Sequence, residues 1–141
     1  MSKELTLELN SPQDGLKELE EAVDNFSGLQ GWPVSLDFKI KLILEEIILN
    51  ALNYGHPDKA TNVYLKMTDL DQTISIEIVD DGKAFNPLEE APTPDTDAPL
   101  GDRPIGGLGV YLVKSLVSDI SYEWKDEKNA LKILVEKTTQ D

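Results

Sequence analysis

The stretch Leu44-Glu45-Glu46-Ile47-Ile48-Leu49-Asn50-Ala51 decides how this chain is read. It lies inside a longer periodic run in which Leu36, Ile40, Ile43, Leu44, Ile47, Ile48 and Ala51 recur three and four residues apart. That spacing places them on one broad apolar face of a long helix. At about 100° per residue, Glu46, Asn50 and Asn53 fall in one narrow stripe along the edge of that face. An edge position is only partly wet, which suits polar groups that need fixed geometry. An Asn carbonyl is a hard-oxygen ligand suited to Mg²⁺, and a Glu one turn away can orient water or accept a proton. Taken alone, the pair is equally what the polar edge of any amphipathic helix carries.

Working outward, Gly55 and Pro57 cannot continue the helix, which is expected to fade near Asn53. On the other side Trp32-Pro33 delays its start, and Ser35 is the expected N-cap. An earlier helix opens at Ser11-Pro12-Gln13-Asp14, with Ser as cap and Pro at the first helical position. It is expected to end about Ser27, where Gly28 and Gly31 break it. Leu5, Leu7 and Leu9 alternate as a first strand. Val63, Leu65 and Met67, then Ile74, Ile76 and Ile78, alternate as a hairpin joined through Asp69-Leu70-Asp71-Gln72.

Residues 81–105 hold most of the prolines and almost no periodicity, and a long structureless segment of this kind is commonly a functional lid. Gly106-Gly107-Leu108-Gly109 then opens another helix, with Val110, Val113, Leu116 and Val117 facing inward. Ile120, Tyr122 and Trp124 suggest a strand and Leu131, Ile133 and Val135 a closing one, with Asp126-Glu127-Lys128-Asn129 turning between them. The order β-α-α-β-β-lid-α-β-β predicts a two-layer α/β sandwich: a mixed, mostly antiparallel sheet with its helices on one face. One domain is expected over residues 1–141, with the lid at about 81–105.

Composition narrows the partners. Thirteen Lys and Arg stand against 27 Asp and Glu, a net charge of −14. No basic cluster exists to neutralise a run of phosphates, which argues against nucleic acid and anionic membrane. A phosphate ligand must therefore meet backbone N–H groups, a helix end and a metal ion. The chain has no cysteine, no apolar leader after Met1-Ser2-Lys3-Glu4, and no run of about 20 apolar residues. A soluble cytoplasmic protein is the expectation.

Two further elements can carry chemistry. Asp80-Asp81-Gly82-Lys83-Ala84-Phe85 follows an apolar strand directly. A carboxylate there can accept a hydrogen bond from an exocyclic amine such as that of adenine, and a glycine lets backbone approach a flat ring. By itself the stretch is an ordinary Asp-Gly turn. The glycine-rich helix start can curl round phosphate oxygens, but it has neither Rossmann nor P-loop spacing.

Together and in this order, Glu46-x-x-x-Asn50, Asp80-x-Gly82 and Gly106-Gly107-x-Gly109 resemble the N, G1 and G2 boxes of the histidine-kinase-like (GHKL) ATPases. The wording of residues 44–51 and of Gly106-Gly107-Leu108-Gly109-Val110-Tyr111-Leu112-Val113-Lys114 is similar to the anti-sigma factor serine/threonine kinases. The resemblance runs over nearly the whole chain and implies a Bergerat-type ATP-binding fold with ATP under a mobile lid. It implies that Asn50 ligates Mg²⁺ and that Glu46 is the catalytic base or water-positioner. It further implies that Asp80 reads the adenine amino group, Gly82 packs on the ring, and Gly107 and Gly109 line the phosphates. Asn53, Ala84, Phe85, Gly106 and Leu108 complete the expected nucleotide-binding set. Arg103, the only cation besides Lys83 between Asp81 and Gly109, is a candidate for a terminal phosphate contact.

Three departures stand out. Ala84 occupies a position where many relatives have a second glycine. Lys132 stands nearest to the last-strand position where relatives often carry Thr or Ser near the adenine. His56, the only histidine, is expected in a loop, and no phosphoacceptor helix is expected before the domain. The implied function is an anti-sigma factor kinase that phosphorylates an antagonist protein, binds a sigma factor in transcriptional partner switching, and pairs as a homodimer. The alternative is a catalytically inactive module that senses ATP or ADP and reports to a partner.

Overall fold

The computed structural model of the protein describes residues 3–56, 59–86 and 107–137. Its elements run β1 (Glu4–Leu9), α1 (Pro12–Gln30), α2 (Val34–Tyr54), β2 (Val63–Asp69), β3 (Thr73–Asp80), α3 (Gly107–Leu116), β4 (Asp119–Lys125) and β5 (Lys128–Glu136). The strands form one sheet in the order β1-β2-β3-β5-β4. Period-two alternation decides which face is buried. Val63, Leu65 and Met67 of β2, Ile74, Ile76 and Ile78 of β3, and Leu131, Ile133 and Val135 of β5 all turn to the core. There they meet Leu19, Val23 and Phe26 of α1 and Leu36, Ile40, Ile43, Leu44 and Ile48 of α2. The result is the expected open α/β sandwich with helices on one face.

The expectation of some parallel pairing is refined: every pairing among the described strands is antiparallel. Two hairpins and a returning first strand need no parallel crossover. No described helix is long and apolar enough to cross a membrane.

Three local expectations are corrected. First, α1 continues through Gly28 to Gln30 and ends at Gly31, whose φ of 72° is left-handed. The Gly31 amide donates to the Gly28 carbonyl and the Trp32 amide to the Ser27 carbonyl, a wrapped helix end that glycine permits. Burial of Phe26 and Trp32, edge-on at 5.6 Å, outweighs the cost of about 1 kcal/mol for a glycine inside a helix. Second, Ser35 is not the cap of α2. The helix begins at Val34 after Pro33, whose carbonyl accepts from the Leu36 and Asp37 amides. At the start of α1, by contrast, Ser11 Oγ accepts from the Asp14 amide as expected.

Third, the turn between β4 and β5 is confined to Asp126 and Glu127, with φ of 54° and 60°. Lys128 and Asn129 already belong to β5, and Asn129 pairs with both Asp80 and Trp124. A left-handed two-residue turn normally advertises itself as Asn-Gly, and Asp-Glu does not. This correction matters because it moves Asn129 from a turn onto the core face of a strand.

Candidate functional site

The candidate site lies where the C-terminal end of α2 meets the C-terminal end of β3. Gly55 and Gly82 make this junction. A Cβ built on Gly82 would lie 2.7 Å from Gly55 Cα and 3.0 Å from the Gly55 carbonyl oxygen. The Lys83 amide donates to that same carbonyl at 2.7 Å. The glycine expected to admit a flat ring is thus already required by the helix end. Backbone contact of this kind brings the C-terminal end of α2, the helix that carries Glu46 and Asn50, against the end of β3 that carries Asp80.

On α2, Asn50 Nδ2 donates to Glu46 Oε1 at 3.0 Å. A carboxylate only accepts, so the Asn50 amide must turn its NH₂ toward Glu46 and its oxygen away. That leaves Asn50 Oδ1 and Glu46 Oε2 as two oxygens with no donor from the described residues. Asn53, one turn on, does not join them. Its amide donates to the Leu49 carbonyl of its own helix at 2.8 Å.

Asp80 follows Ile74, Ile76 and Ile78 on the buried face of β3 and is partly shielded. Its Oδ1 accepts from the Gly82 amide and from Asn129 Nδ2, both at 2.9 Å. Burial raises its carboxyl above the ordinary value, and Asp81 adds to this, while Asn129, Gly82 and His56 oppose it. The neighbouring Asp81 behaves oppositely. Burial pushes it up, but two hydrogen bonds from Asn62 and the proximity of His56 prevail, and its carboxyl is lowered. Asn62 grips Asp81 with its amide N–H and its side chain, each at 2.9 Å, and His56 Nε2 lies 3.3 Å away. Asp81 is a brace, and His56 belongs to it.

Asn129 is the residue that the sequence reading missed. Nearly fully buried, it donates to Asp80 and to the Lys83 carbonyl (2.8 Å), with a longer contact to the Gly82 carbonyl (3.4 Å). Its Oδ1 accepts from the Phe85 amide at 2.9 Å and from the Tyr122 hydroxyl. The signal was present: Asn129, Leu131, Ile133 and Val135 share a face by period two, so a polar residue there is buried. Lys132, read as the nearest position to the adenine, is on the opposite face. It pairs in register with Glu77, their charged atoms 4.0 Å apart.

Of the remaining expected residues, Ala84 and Phe85 are exposed beside the Asp80 corner. Gly107, Leu108 and Gly109 form the first turn of α3, whose Val113 packs in the core. Arg103, Gly106 and the stretch 87–105 of the expected lid lie outside the described residues. Among the described residues no three carboxylate or histidine side chains gather to hold a metal ion.

Comparison with known proteins adds to this geometry. Residues 11–135 match the family model of the histidine kinase-like ATPase domain. The chain is 26% identical over 134 residues to the serine/threonine-protein kinase BtrW of Bordetella bronchiseptica, covering 92% of each protein. It is 29% identical over 101 residues to the sensor protein VanSC of Enterococcus gallinarum, of which the match covers 26%. Among solved structures, the catalytic domain of the histidine kinase ThkA shares the fold with a TM-score of 0.53 at 14% identity, over 96% of this chain and 99% of that one.

Proposed function

The chain belongs to the family of histidine kinase-like ATPase domains, and we propose that it is an ATP-dependent serine/threonine protein kinase of the anti-sigma factor type. The observation that carries this reading is the Asn50–Glu46 hydrogen bond. It fixes two side chains in one rotameric arrangement while leaving an oxygen of each unclaimed. Similarity to BtrW over nearly the full length of both chains supports serine or threonine as the acceptor.

The proposed roles follow from the atoms. Asn50 Oδ1 would hold Mg²⁺, which when bound with ATP would supply positive charge beside the phosphoryl group. Glu46 Oε2 accepts the proton of the acceptor hydroxyl, its other oxygen being held by Asn50. Asp80 Oδ2 accepts from the 6-amino group of adenine. The amides opening α3, at Gly107–Gly109, face the phosphates with the positive end of the helix dipole. With a net charge of −14, the chain offers a polyphosphate little cationic attraction, so binding depends on the metal. The proposed partners are a small antagonist protein as phosphoacceptor and a sigma factor as the alternately bound protein.

Incubation with Mg-ATP and a candidate antagonist, followed by detection of phosphoserine, tests the reading. Glu46→Gln is expected to abolish transfer while retaining ATP binding. Transfer at the wild-type rate in that variant contradicts the role of Glu46. Nucleotide binding without transfer to any antagonist would favour the sensing module instead.

A further inference from the structure

Asn129 spends every hydrogen-bonding site of its side chain on other residues of the chain. Its orientation is forced: only NH₂ can face the Asp80 carboxylate and the Lys83 carbonyl, and only oxygen can face the Phe85 amide. The consequence for Asp80 is unequal treatment of its two oxygens. Oδ1 carries the donors from Asn129 and Gly82, whereas Oδ2 receives none from the described residues. A carboxylate with both oxygens available can bind a base edge that offers two adjacent N–H groups, as guanine does at N1 and N2. A carboxylate with one available oxygen favours a base offering a single amino donor.

We propose that Asn129 is the positioning and specificity-determining residue of the base site, leaving Asp80 one oxygen for an adenine-type amine and tying residues 82–85 to β5. This rests on the reading that Asp80 binds the base. One side chain thereby joins the recognition carboxylate to the first residues of the following loop. Tyr122 supports it from β4 through its hydroxyl. Among the described residues, the charged and titratable groups facing Asp80 are Asp81 beside it, His56 from the end of α2, and Tyr122 through Asn129.

The test measures dissociation constants of Mg-ATP and Mg-GTP by calorimetry for wild type, Asn129→Ala, Asn129→Asp, Tyr122→Phe and Asp80→Ala. Wild type is expected to prefer ATP. Asn129→Ala should weaken ATP about 10- to 100-fold and leave GTP unchanged or tightened, collapsing the ratio. Asn129→Asp keeps the shape but sets a carboxyl against Asp80. Its ATP affinity should recover on acidification as the pair takes up one shared proton, a profile opposite to that of wild type. Tyr122→Phe should move the ratio in the same direction by a smaller factor. Should Asn129→Ala fail to fold, Asn129→Asp and Tyr122→Phe still decide. Retention of the wild-type ATP/GTP ratio to within about twofold, with a wild-type pH profile in Asn129→Asp, overturns the proposal whatever the melting temperatures do. Undiminished ATP binding by Asp80→Ala overturns instead the base-reading role on which it rests.

Discussion

Asp69 and Asp80 stand at opposite ends of the same hairpin, on the same buried face of the sheet, and they are treated differently. Asp69 closes the far end of β2. Trp32 Nε1 donates to its Oδ2 at 3.3 Å, and Lys137 Nζ lies 2.7 Å from its Oδ1. Both oxygens are claimed by the protein, and nothing is left for a ligand. Asp80 ends β3 with Oδ1 doubly bonded and Oδ2 unclaimed among the described residues. A buried carboxylate with both oxygens taken up, one by a hydrogen bond and the other by an ion pair, holds the fold together. One whose bonds are half complete keeps stability in reserve for a ligand.

The comparison breaks most visibly by removing each carboxylate. Asp69→Ala strands Lys137 and the Trp32 N–H, and a loss of about 2–3 kcal/mol is expected in denaturant melts. ATP affinity of the folded fraction should not change. Asp80→Ala should do the reverse, with a modest effect on the melt and ATP affinity reduced about tenfold or more. Equal effects of the two substitutions on both readouts would erase the distinction.

Gly82→Ala drives a methyl into the Gly55 backbone at the Asp80 end of the hairpin. It should cost about 1–3 kcal/mol and shift Asp80 as well, so stability and nucleotide affinity fall together. Measurement of a melt and a binding isotherm on one preparation checks this, and an unchanged isotherm would uncouple the junction from the site.

Acid separates the pair of neighbours at this end. The raised Asp80 carboxyl is protonated at a higher pH than an ordinary aspartate, so ATP affinity should begin to fall on acidification above the usual carboxylate range. Asp81, lowered by Asn62, contributes stability that is fully present above its unfolded value and is lost as pH falls through its folded value. Binding should therefore fail at a higher pH than the fold does. Coincident acid transitions in binding and in circular dichroism would contradict this order.

The smallest effect is expected at Asn53, whose amide is spent on its own helix. Asn53→Ala should alter stability and ATP affinity by no more than about 0.5 kcal/mol.

Much of the sandwich was legible because alternation in residues 63–78 and 131–135, and the three- and four-residue spacing of residues 36–51, are local signals of buried faces. The Glu46–Asn50 contact was legible for the same reason, since four residues is one helical turn. Asn129 was not, because its importance arises from strand register across 49 residues of sequence and from a left-handed turn without glycine. Gly82 also meets a structural demand that its own stretch of sequence does not show. Its partner is Gly55, which no local pattern connects to it.

The most direct test of the metal role at the α2 end of the site is ATP affinity with and without Mg²⁺, for wild type and Asn50→Ala. Wild type should bind ATP more tightly with Mg²⁺, and Asn50→Ala should lose most of that difference while its melt stays near wild type. An Mg²⁺ dependence in Asn50→Ala equal to that of wild type would show that Asn50 is not a metal ligand.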